Sequence, residues 1–339
     1  MKILQLRQVP MLLIPDEKEH TWRIYNVMSN KFLEKNVLVP YDKRFSGSSE
    51  AWLVTIEEDY TVKLYKPNFM NDEGMSKPNR IVHLPRLFPP VEPLEALDIE
   101  FRGFHILSTT IVTIDPIRNP DDFVIMVIYG TSAQLAFIRS AKDTTWIHVN
   151  VGERFEFHDV AFYKGKFYAI NIKGKVISFD ITNSPNLNVN LVTSQISEEP
   201  ILGRRYLVKS QEEELLMVER YSTRDIYEDR KTFKFKVFKL DLDRLRWIEI
   251  KSLRNTSLFL GDNSSISIIA SNFDGCKSNC IYFTHDEDTG GYGDHGPCDL
   301  GIYNLESKRF VWHYNIDLDA IAKMNERPPI WLVPTINTY

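Results

Sequence analysis

The stretch VAFYKGKFYAINIKGKVISFD, Val160–Asp180, decides the fold class. It contains three short runs of aromatic and β-branched residues, separated by Lys-Gly-Lys triplets that are centred on Gly165 and Gly174. Glycine supplies the positive φ that a tight hairpin turn requires, and aromatic and β-branched side chains favour strands. The stretch therefore predicts three antiparallel strands joined by two hairpins, which is a β-meander.

Similar strand patterns recur along the whole chain. They fall into about six sets of two to four strands, at a spacing of roughly 55 residues, near the upper repeat length of propeller blades. Outside the Val160 meander, the predicted strands cover residues 22–27 and 31–37; 50–56, 61–65 and 80–84; 106–114, 123–129, 135–140 and 145–149; 206–209, 215–221, 234–241 and 247–249; and 265–270, 279–284, 299–304 and 310–314. The best helical candidate is short, Leu318–Glu326.

This pattern predicts an all-β protein with a single β-propeller of about six four-stranded blades, with seven as the alternative count. Two stacked β-sandwiches would show a linker near the middle of the chain, but the Pro-, Gly- and Ser-rich stretches are short and scattered. Met11–Pro15 and Trp331–Pro334 are both brief apolar runs stopped by proline. We expect these terminal strands to be neighbours and to close the ring, which removes open sheet edges.

Composition limits the classes of function. The 339 residues include 41 Lys and Arg against 46 Asp and Glu, for a net charge of −5, so the basic face typical of nucleic-acid binding is not expected. Apolar runs are of strand length, far short of a membrane-spanning helix. We therefore predict no nucleic-acid and no membrane partner. The three cysteines are few and odd in number for a secreted protein, which favours the cytoplasm or the nucleus.

Phe273–Asp299 is the most unusual region and the one candidate for a metal site. Three thiols and a nearby imidazole could form a tetrahedral zinc site, and a run of carboxylates could bind calcium. The residues concerned are Cys276, Cys280, Cys298, His285 and His295 for zinc, and Asp286, Glu287, Asp288 and Asp294 for calcium. Neither spacing matches the usual ligand order, so we predict no metal and interpret the segment as a loop with buried structural thiols.

Catalytic signals are weak. The sequence lacks the Gly-x-Ser-x-Gly, His-Glu-x-x-His and phosphate-binding Gly-x-x-x-x-Gly-Lys motifs. His158-Asp159 could be an acid–base pair, although a polar pair just before a strand is equally typical of a turn. Arg204 and Arg205 could contact an acidic partner or simply lie on the surface where a strand begins. We predict no catalytic residue, no cofactor and no enzymatic activity.

Several strings resemble one known family. They are similar, in family order, to characteristic blocks of the plant F-box-associated β-propeller family of the KIB type. The matching strings are Leu12–Pro15, Gly47–Val54, Leu202–Ser210, Glu214–Arg220, Phe235–Asp241, Trp247, Ser257–Asn263, Gly275–Thr284 and Trp331–Pro334. The resemblance covers nearly the whole chain, and its Leu258–Thr284 part is quite specific.

This resemblance implies a protein-recognition domain. In the family, an N-terminal F-box docks on the Skp-type adaptor of a cullin ubiquitin ligase, and the propeller binds the protein to be ubiquitinated. We divide the chain into an N-terminal extension, residues 1–10, and a KIB-type propeller, residues 11–339. Because the extension is too short for a helical F-box, we expect this chain to be either an F-box-less binding module or a shortened form of a longer F-box protein. It would meet the adaptor only if an F-box is present outside this chain.

The expected partner is a protein substrate or regulator, held by long loops on one face of the ring. The long predicted connections are Asn68–Arg80, Phe88–Glu100, Ser222–Lys231 and Asp286–Pro297. Their aromatic residues are the candidate anchors: Phe69, Phe88, Tyr227 and Tyr292. The alternative is a propeller enzyme or sugar-type ligand binder, which would bring several carboxylates or histidines to the mouth of the central channel.

Overall fold

The computed structural model describes most of the chain. The described residues are 9–16, 20–37, 39–41, 43, 45–49, 52–67, 80–88, 107–130, 132–140, 142–151, 155–181, 187–193, 203–223, 231–261, 265–285, 299–312, 314, 316 and 329–334. Within them, the secondary structure consists of strands and one short 3₁₀ helix, Ala270–Asn272. This content confirms the predicted all-β class.

The strands form six sheets in the described part of the chain, which we number as blades 1 to 6 in chain order. Blade 1 contains β1 (Met11–Asp16), β2 (Thr21–Asn26), β3 (Lys31–Val37) and the last strand, β25 (Ile330–Leu332). Blade 2 contains β4 (Ser46–Ser49), β5 (Trp52–Ile56), β6 (Thr61–Lys66) and β7 (Arg80–Arg86). Blade 3 contains β8 (Leu107–Val112), β9 (Val124–Tyr129), β10 (Gln134–Arg139) and β11 (Ile147–His148).

The second half of the ring continues in the same way. Blade 4 contains β12 (Phe157–Tyr163), β13 (Lys166–Asn171), β14 (Val176–Asp180) and β15 (Asn188–Thr193). Blade 5 contains β16 (Arg205–Lys209), β17 (Leu215–Ser222), β18 (Thr232–Asp241) and β19 (Arg246–Ile250). Blade 6 has a fifth strand and contains β20 (Thr256–Leu260), β21 (Ser265–Ile269), β22 (Cys280–Phe283), β23 (Gly301–Asn304) and β24 (Arg309–Trp312).

One edge strand of each sheet lies at the centre of the ring. The contacts between neighbouring sheets run from β25 to β4, from β4 to β8, from β8 to β12, from β12 to β16 and from β16 to β21. Blades whose inner strands touch in this succession radiate from a common axis, which is the arrangement of a β-propeller. The fold is therefore the predicted propeller, with six blades.

The hydrophobic core is divided among the blade interfaces. One cluster lies between each pair of neighbouring blades, and the sixth joins blade 6 to blade 1. In β9, for example, Ile125 and Val127 face blade 2 while Met126 and Ile128 face blade 4. Side chains of a strand alternate between the two faces of its sheet. Strands buried on both faces therefore read as continuous apolar runs instead of alternating ones.

The ring is closed by the two ends of the chain, as predicted. β25 pairs antiparallel with β1, with Leu12 opposite Trp331. The Trp331 indole N–H donates a 3.0 Å hydrogen bond to the carbonyl oxygen of Leu260 in blade 6. The buried Trp331 side chain thus joins the closing strand of blade 1 to the neighbouring blade.

Blade 6 departs from the predicted meander. β20, which the sequence analysis missed, lies between β21 and β22 and pairs in parallel with β22, with Ser257 opposite Cys280. A parallel pair needs a crossover connection instead of a hairpin. The segment that includes the 3₁₀ helix supplies it, and Asn279 fixes its end: its Oδ1 accepts the Leu253 N–H at 2.6 Å, and its own N–H donates to the Thr256 carbonyl at 3.0 Å.

Two further strands were missed, and one predicted element is not described. β4 (Ser46–Ser49) and β15 (Asn188–Thr193) have polar sequences that carry little strand signal. They form strands because a neighbouring strand supplies the hydrogen bonds. β4 pairs with β5, and β15 pairs with β14. The predicted helix Leu318–Glu326 lies outside the described residues. Among the residues described, no helix has the length and apolar character needed to cross a bilayer.

Candidate functional site

We call one side of the ring the upper face. It carries the turns 57–60, 130–133 and 172–175, which join the second and third strands of blades 2, 3 and 4, and the described residues that lead from blade 3 into blade 4, 149–151 and 155–156. Loops on one face of a rigid propeller can vary without disturbing the blades. Both clusters of functional interest in the described chain lie at this face.

The first cluster surrounds a cavity of about 310 Å³ between blades 3 and 4. It lies where Ser132 and Ala133 of blade 3 meet residues 149–151 and 155–157, which lead into blade 4. The polar side chains in its wall are those of Tyr129, Ser132, Gln134, His148, Asn150 and Glu156. Gln134 is exposed, so the cavity reaches solvent.

A phenol and an imidazole meet in the cavity wall. The Tyr129 hydroxyl and His148 Nδ1 are 2.7 Å apart and share a hydrogen bond. Burial raises the pKa of Tyr129 and lowers the pKa of His148, because each shift favours the neutral form. At neutral pH the pair is therefore an uncharged phenol and an uncharged imidazole.

Two strained residues shape the rim of the cavity. Ala133 and Glu156 have φ of 44° and 45°, a left-handed conformation that is uncommon for residues other than glycine. The Ala133 carbonyl accepts a 2.9 Å hydrogen bond from the Phe157 N–H, and the Glu156 carbonyl accepts a 3.1 Å bond from the Ile172 N–H. Such strain persists only where the surroundings hold it, and here neighbouring segments hold both residues.

The second cluster lies at the upper ends of the inner strands, around Asp159 on β12. Its carboxylate accepts hydrogen bonds from the Leu207 N–H on β16 at 2.8 Å and from the Ser265 hydroxyl on β21 at 3.3 Å. A third, from the Val160 N–H, measures 2.8 Å. Burial raises the pKa of Asp159 to about 6, against a smaller opposing effect of the Arg204 charge. Asp159 thus links the inner strands of three consecutive blades.

His158 and Asp159 do not act on each other as the acid–base hypothesis required. His158 Nδ1 accepts the backbone N–H of Arg205 at 3.2 Å, and the His158 carbonyl accepts from Arg204 Nη2 at 3.4 Å. The carboxylate of Asp159 is occupied by backbone and hydroxyl donors. These contacts fasten β12 to β16, which is a structural role.

Arg205 is buried, and this corrects the interpretation of it as a surface residue. Its Nε donates to Glu219 Oε1 at 3.1 Å, its Nη1 donates to the Ile172 carbonyl, and Glu219 Oε2 accepts the Tyr221 hydroxyl at 2.6 Å. Arg205 and Glu219 face each other in the β16–β17 ladder. The sequence could have predicted this pair from the register of the hairpin. When Lys209 lies opposite Leu215, Arg205 lies opposite Glu219.

Arg220, which the sequence analysis did not single out, forms a second buried ion pair. Its Nη2 donates to Asp299 Oδ2 at 2.9 Å, and its Nη1 donates to the Thr284 carbonyl at 2.7 Å. Thr232 contributes both its N–H, at 2.9 Å, and its hydroxyl, at 2.8 Å, to the same carboxylate. The network joins blade 5 to blade 6.

Comparison with known proteins identifies the family. The profile of the KIB1-4 beta-propeller family matches residues 20–304.

The chain belongs to the KIB1-4 β-propeller family.

Curated proteins whose sequences are similar to this KIB1-4 propeller come from Arabidopsis thaliana. A putative F-box protein is 26% identical over 288 residues, which cover 82% of this chain and 74% of that protein. The F-box protein SKIP23 is 24% identical over 336 residues, covering 87% of this chain and 77% of that protein. Among solved structures, the β-propeller domain of Myceliophteria thermophila Cps50 (Swd1) is 10% identical, with a TM-score of 0.32, over 70% of this chain and 84% of that one.

The predicted partner-binding anchors of this KIB1-4 propeller fall mostly outside the described chain. Phe69, Tyr227 and Tyr292 lie outside the described residues. Phe88 is half-buried at the upper face, where its ring packs edge-on against Tyr60 at 5.6 Å and against Tyr129 at 5.3 Å. It therefore supports the wall of the cavity through Tyr129, and its role as an anchor stays a prediction.

The candidate zinc and calcium ligands, which the sequence analysis weighed before predicting no metal, divide in the same way. Cys298, His295 and the four acidic residues lie outside the described residues. Burial raises the pKa of the Cys276 and Cys280 thiols, which keeps them protonated and weakens them as metal ligands. Within the described part of the chain, no group of three or more His, Cys, Asp or Glu side chains is arranged to hold a metal ion.

Proposed function

We propose that this propeller binds a protein substrate for a ubiquitin ligase of the Skp–cullin type. The proposal is based on the family match over residues 20–304. It is supported by the similar Arabidopsis proteins, which are named as F-box proteins. In this role the propeller recognises the substrate, while docking on the Skp-type adaptor requires an F-box. As part of this proposal, the protein is located in the cytoplasm or the nucleus. Imaging of a fluorescent fusion tests this location.

The architecture suits this role physically. Six interblade cores make the ring rigid, so its upper-face loops can present a fixed surface to a partner at little conformational cost. Two large apolar side chains are exposed there, Ile172 at 45% and Phe233 at 54%. The two groups that could have suggested chemistry at the central channel, His158 and Asp159, bind backbone atoms instead.

Affinity purification from plant cells tests this function. The tagged chain should capture a protein that binds the purified propeller directly and whose abundance rises when the chain is removed. Co-purification of a Skp-type adaptor would report assembly with the ligase. Capture of nothing beyond what an unrelated propeller captures would contradict the proposal.

A pair of matched variants locates the binding surface. Ile172→Asp places a charge on the upper face, whereas Leu245→Asp makes the same kind of change on the opposite face, where Leu245 is 53% exposed. Capture of the partner should fall about tenfold or more in the first variant and stay unchanged in the second, since centrally placed apolar contacts dominate binding energy. The reverse result would move the binding surface to the opposite face.

A further inference from the structure

The cavity between blades 3 and 4 is large enough to hold a single long side chain. Its volume of about 310 Å³ is at the lower limit for small-molecule pockets, which span roughly 300–1,000 Å³. It lies on the upper face, and the exposed Gln134 connects it to solvent. One long side chain projecting from a bound protein would fit inside.

The charge of the wall favours a cation. Among the described residues that line the cavity, Glu156 is the one acidic residue, and none is Lys or Arg. His148 adds no positive charge at neutral pH, because burial lowers its pKa. A cationic guest would therefore meet a carboxylate and no opposing charge from these residues.

The remaining wall suits a flat cation with several donors. Tyr129, Phe155 and Phe157 contribute aromatic rings, two of which lie 4.8 Å apart, and ring faces attract cations. Gln134 and Asn150 add amide oxygens that can accept hydrogen bonds. Arginine combines a planar cation with five N–H donors, whereas lysine is a compact point charge. The geometry thus favours arginine.

The acidic residue is held in place before any guest arrives. Glu156 is fixed in its left-handed conformation by the hydrogen bond between its carbonyl and Ile172. Phe157 is fixed to the opposite rim through Ala133. A preformed pocket of this kind loses little conformational freedom on binding.

We propose that this cavity binds the side chain of an arginine that a protein partner presents to the upper face. The inference rests on the proposed function for the identity of the guest as part of a protein. The cavity and its wall exist independently of that function, so the two can be tested separately.

A pair of probes of equal shape tests the charge requirement. The purified chain is titrated with N-acetyl-arginine methylamide and with its citrulline analogue, which keeps the shape and lacks the positive charge. Binding is followed by NMR of ¹⁵N-labelled histidine, with the His148 signal assigned through a His148→Gln variant. The arginine probe should shift the signal with a dissociation constant in the millimolar range, as expected for a ligand of about 16 heavy atoms.

The citrulline probe should bind at least about tenfold more weakly, because a charge-assisted contact is lost. Equal binding of the two probes overturns the proposal. Absence of any shift at about 50 mM arginine probe, above the dissociation constants expected of such small ligands, overturns it as well.

Matched variants test the role of Glu156. Glu156→Gln removes the charge and keeps the shape, while Glu213→Gln makes the same change at an exposed residue of the opposite face that shares the left-handed conformation, with φ of 57°. Arginine binding should weaken about tenfold in the first and stay unchanged in the second. Gln134→Arg, which adds a cation at the mouth, should also weaken binding, and unchanged binding in both cavity variants contradicts the proposal.

The partner-capture experiment separates this inference from the proposed function. Loss of capture in Glu156→Gln with retained capture in Glu213→Gln supports both. Arginine-probe binding without any protein partner rejects the proposed function and leaves the cavity assignment standing. Normal capture by Glu156→Gln, with no binding of the arginine probe, rejects the cavity assignment and leaves the function standing.

Discussion

At the residue scale, Asp159 makes the stability of the ring depend on pH. Its pKa rises from an ordinary value near 4 to about 6 in the folded protein, mainly because it is buried. The folded state therefore binds the proton more tightly than the unfolded state. The contribution of this group to stability is greatest below about pH 4 and is lost as the pH rises through about 6, by on the order of 3 kcal/mol.

Replacing Asp159 with Asn should remove this dependence. The free energy of unfolding, measured with urea from pH 4 to pH 8, should fall less with rising pH in Asp159→Asn than in the unaltered protein. Asp243→Asn, at an exposed position in the turn after β18, serves as the control. An unchanged slope in Asp159→Asn would show that another group is responsible.

The buried Arg220 gives a second prediction at this scale. Arg220→Met removes the guanidinium and leaves the Asp299 carboxylate, which is 2% exposed, without its cation. The loss of one member of a buried ion pair costs about 3–5 kcal/mol. Urea unfolding should show a loss of this size.

An exposed ion pair supplies the comparison for Arg220. Lys209 and Glu213 are 3.0 Å apart, but their side chains are 46% and 63% exposed. Lys209→Met should cost less than about 1 kcal/mol, since solvent screens such pairs. Equal costs for the two variants would be inconsistent with a special role for the Arg220 network.

At the element scale, Gly261 permits the close approach of blade 6 and the closing strand. A Cβ at this position would lie 2.8 Å from the Thr284 hydroxyl and 3.1 Å from Cδ1 of Trp331. Gly261→Ala should therefore destabilise the protein by about 1–3 kcal/mol through overpacking. Thermal unfolding should show a lower midpoint.

A second substitution tests this explanation. The Thr284 hydroxyl has no hydrogen-bond partner in the described part of the chain, so its removal costs little by itself. Thr284→Ala combined with Gly261→Ala should recover part of the lost stability. No recovery in the double variant would place the strain at Trp331 instead.

The elements also show what the sequence could predict. The β12–β14 meander was predictable because its signal is local: two glycine turns, Gly165 and Gly174, lie between apolar runs. The pairing of β20 with β22 was not, because a parallel pair depends on a crossover and on contacts made by Asn279. The cavity was not predictable from the sequence either. Tyr129 in β9 and Glu156 before β12 meet only because neighbouring blades pack together.

At the scale of the whole molecule, stability depends on closing the ring. β25 contributes Trp331 to the core between blades 6 and 1, and Ile330 and Leu332 to the core between blades 1 and 2. A chain ending at residue 328 would uncover both interfaces. We expect it to lose more than the roughly 3–5 kcal/mol that a single buried Trp→Ala substitution costs.

The matched control ends after Pro334 and so keeps β25. Both shortened chains are unfolded with urea. The longer one should show a cooperative transition near that of the full chain. The shorter one should unfold at much lower urea concentration. Similar transitions for both would show that the closing strand is dispensable.

The pairing of β1 with β25 also has a consequence for synthesis. The two strands are separated by nearly the entire chain, so β1 emerges from the ribosome long before its partner exists. Until residues 330–332 have been synthesised, blade 1 presents an unpaired strand edge and an uncovered apolar surface, both of which promote aggregation. A stop codon shortly before that of Ile330 would therefore leave a chain that carries β1 to β24 but whose first blade stays exposed to aggregation.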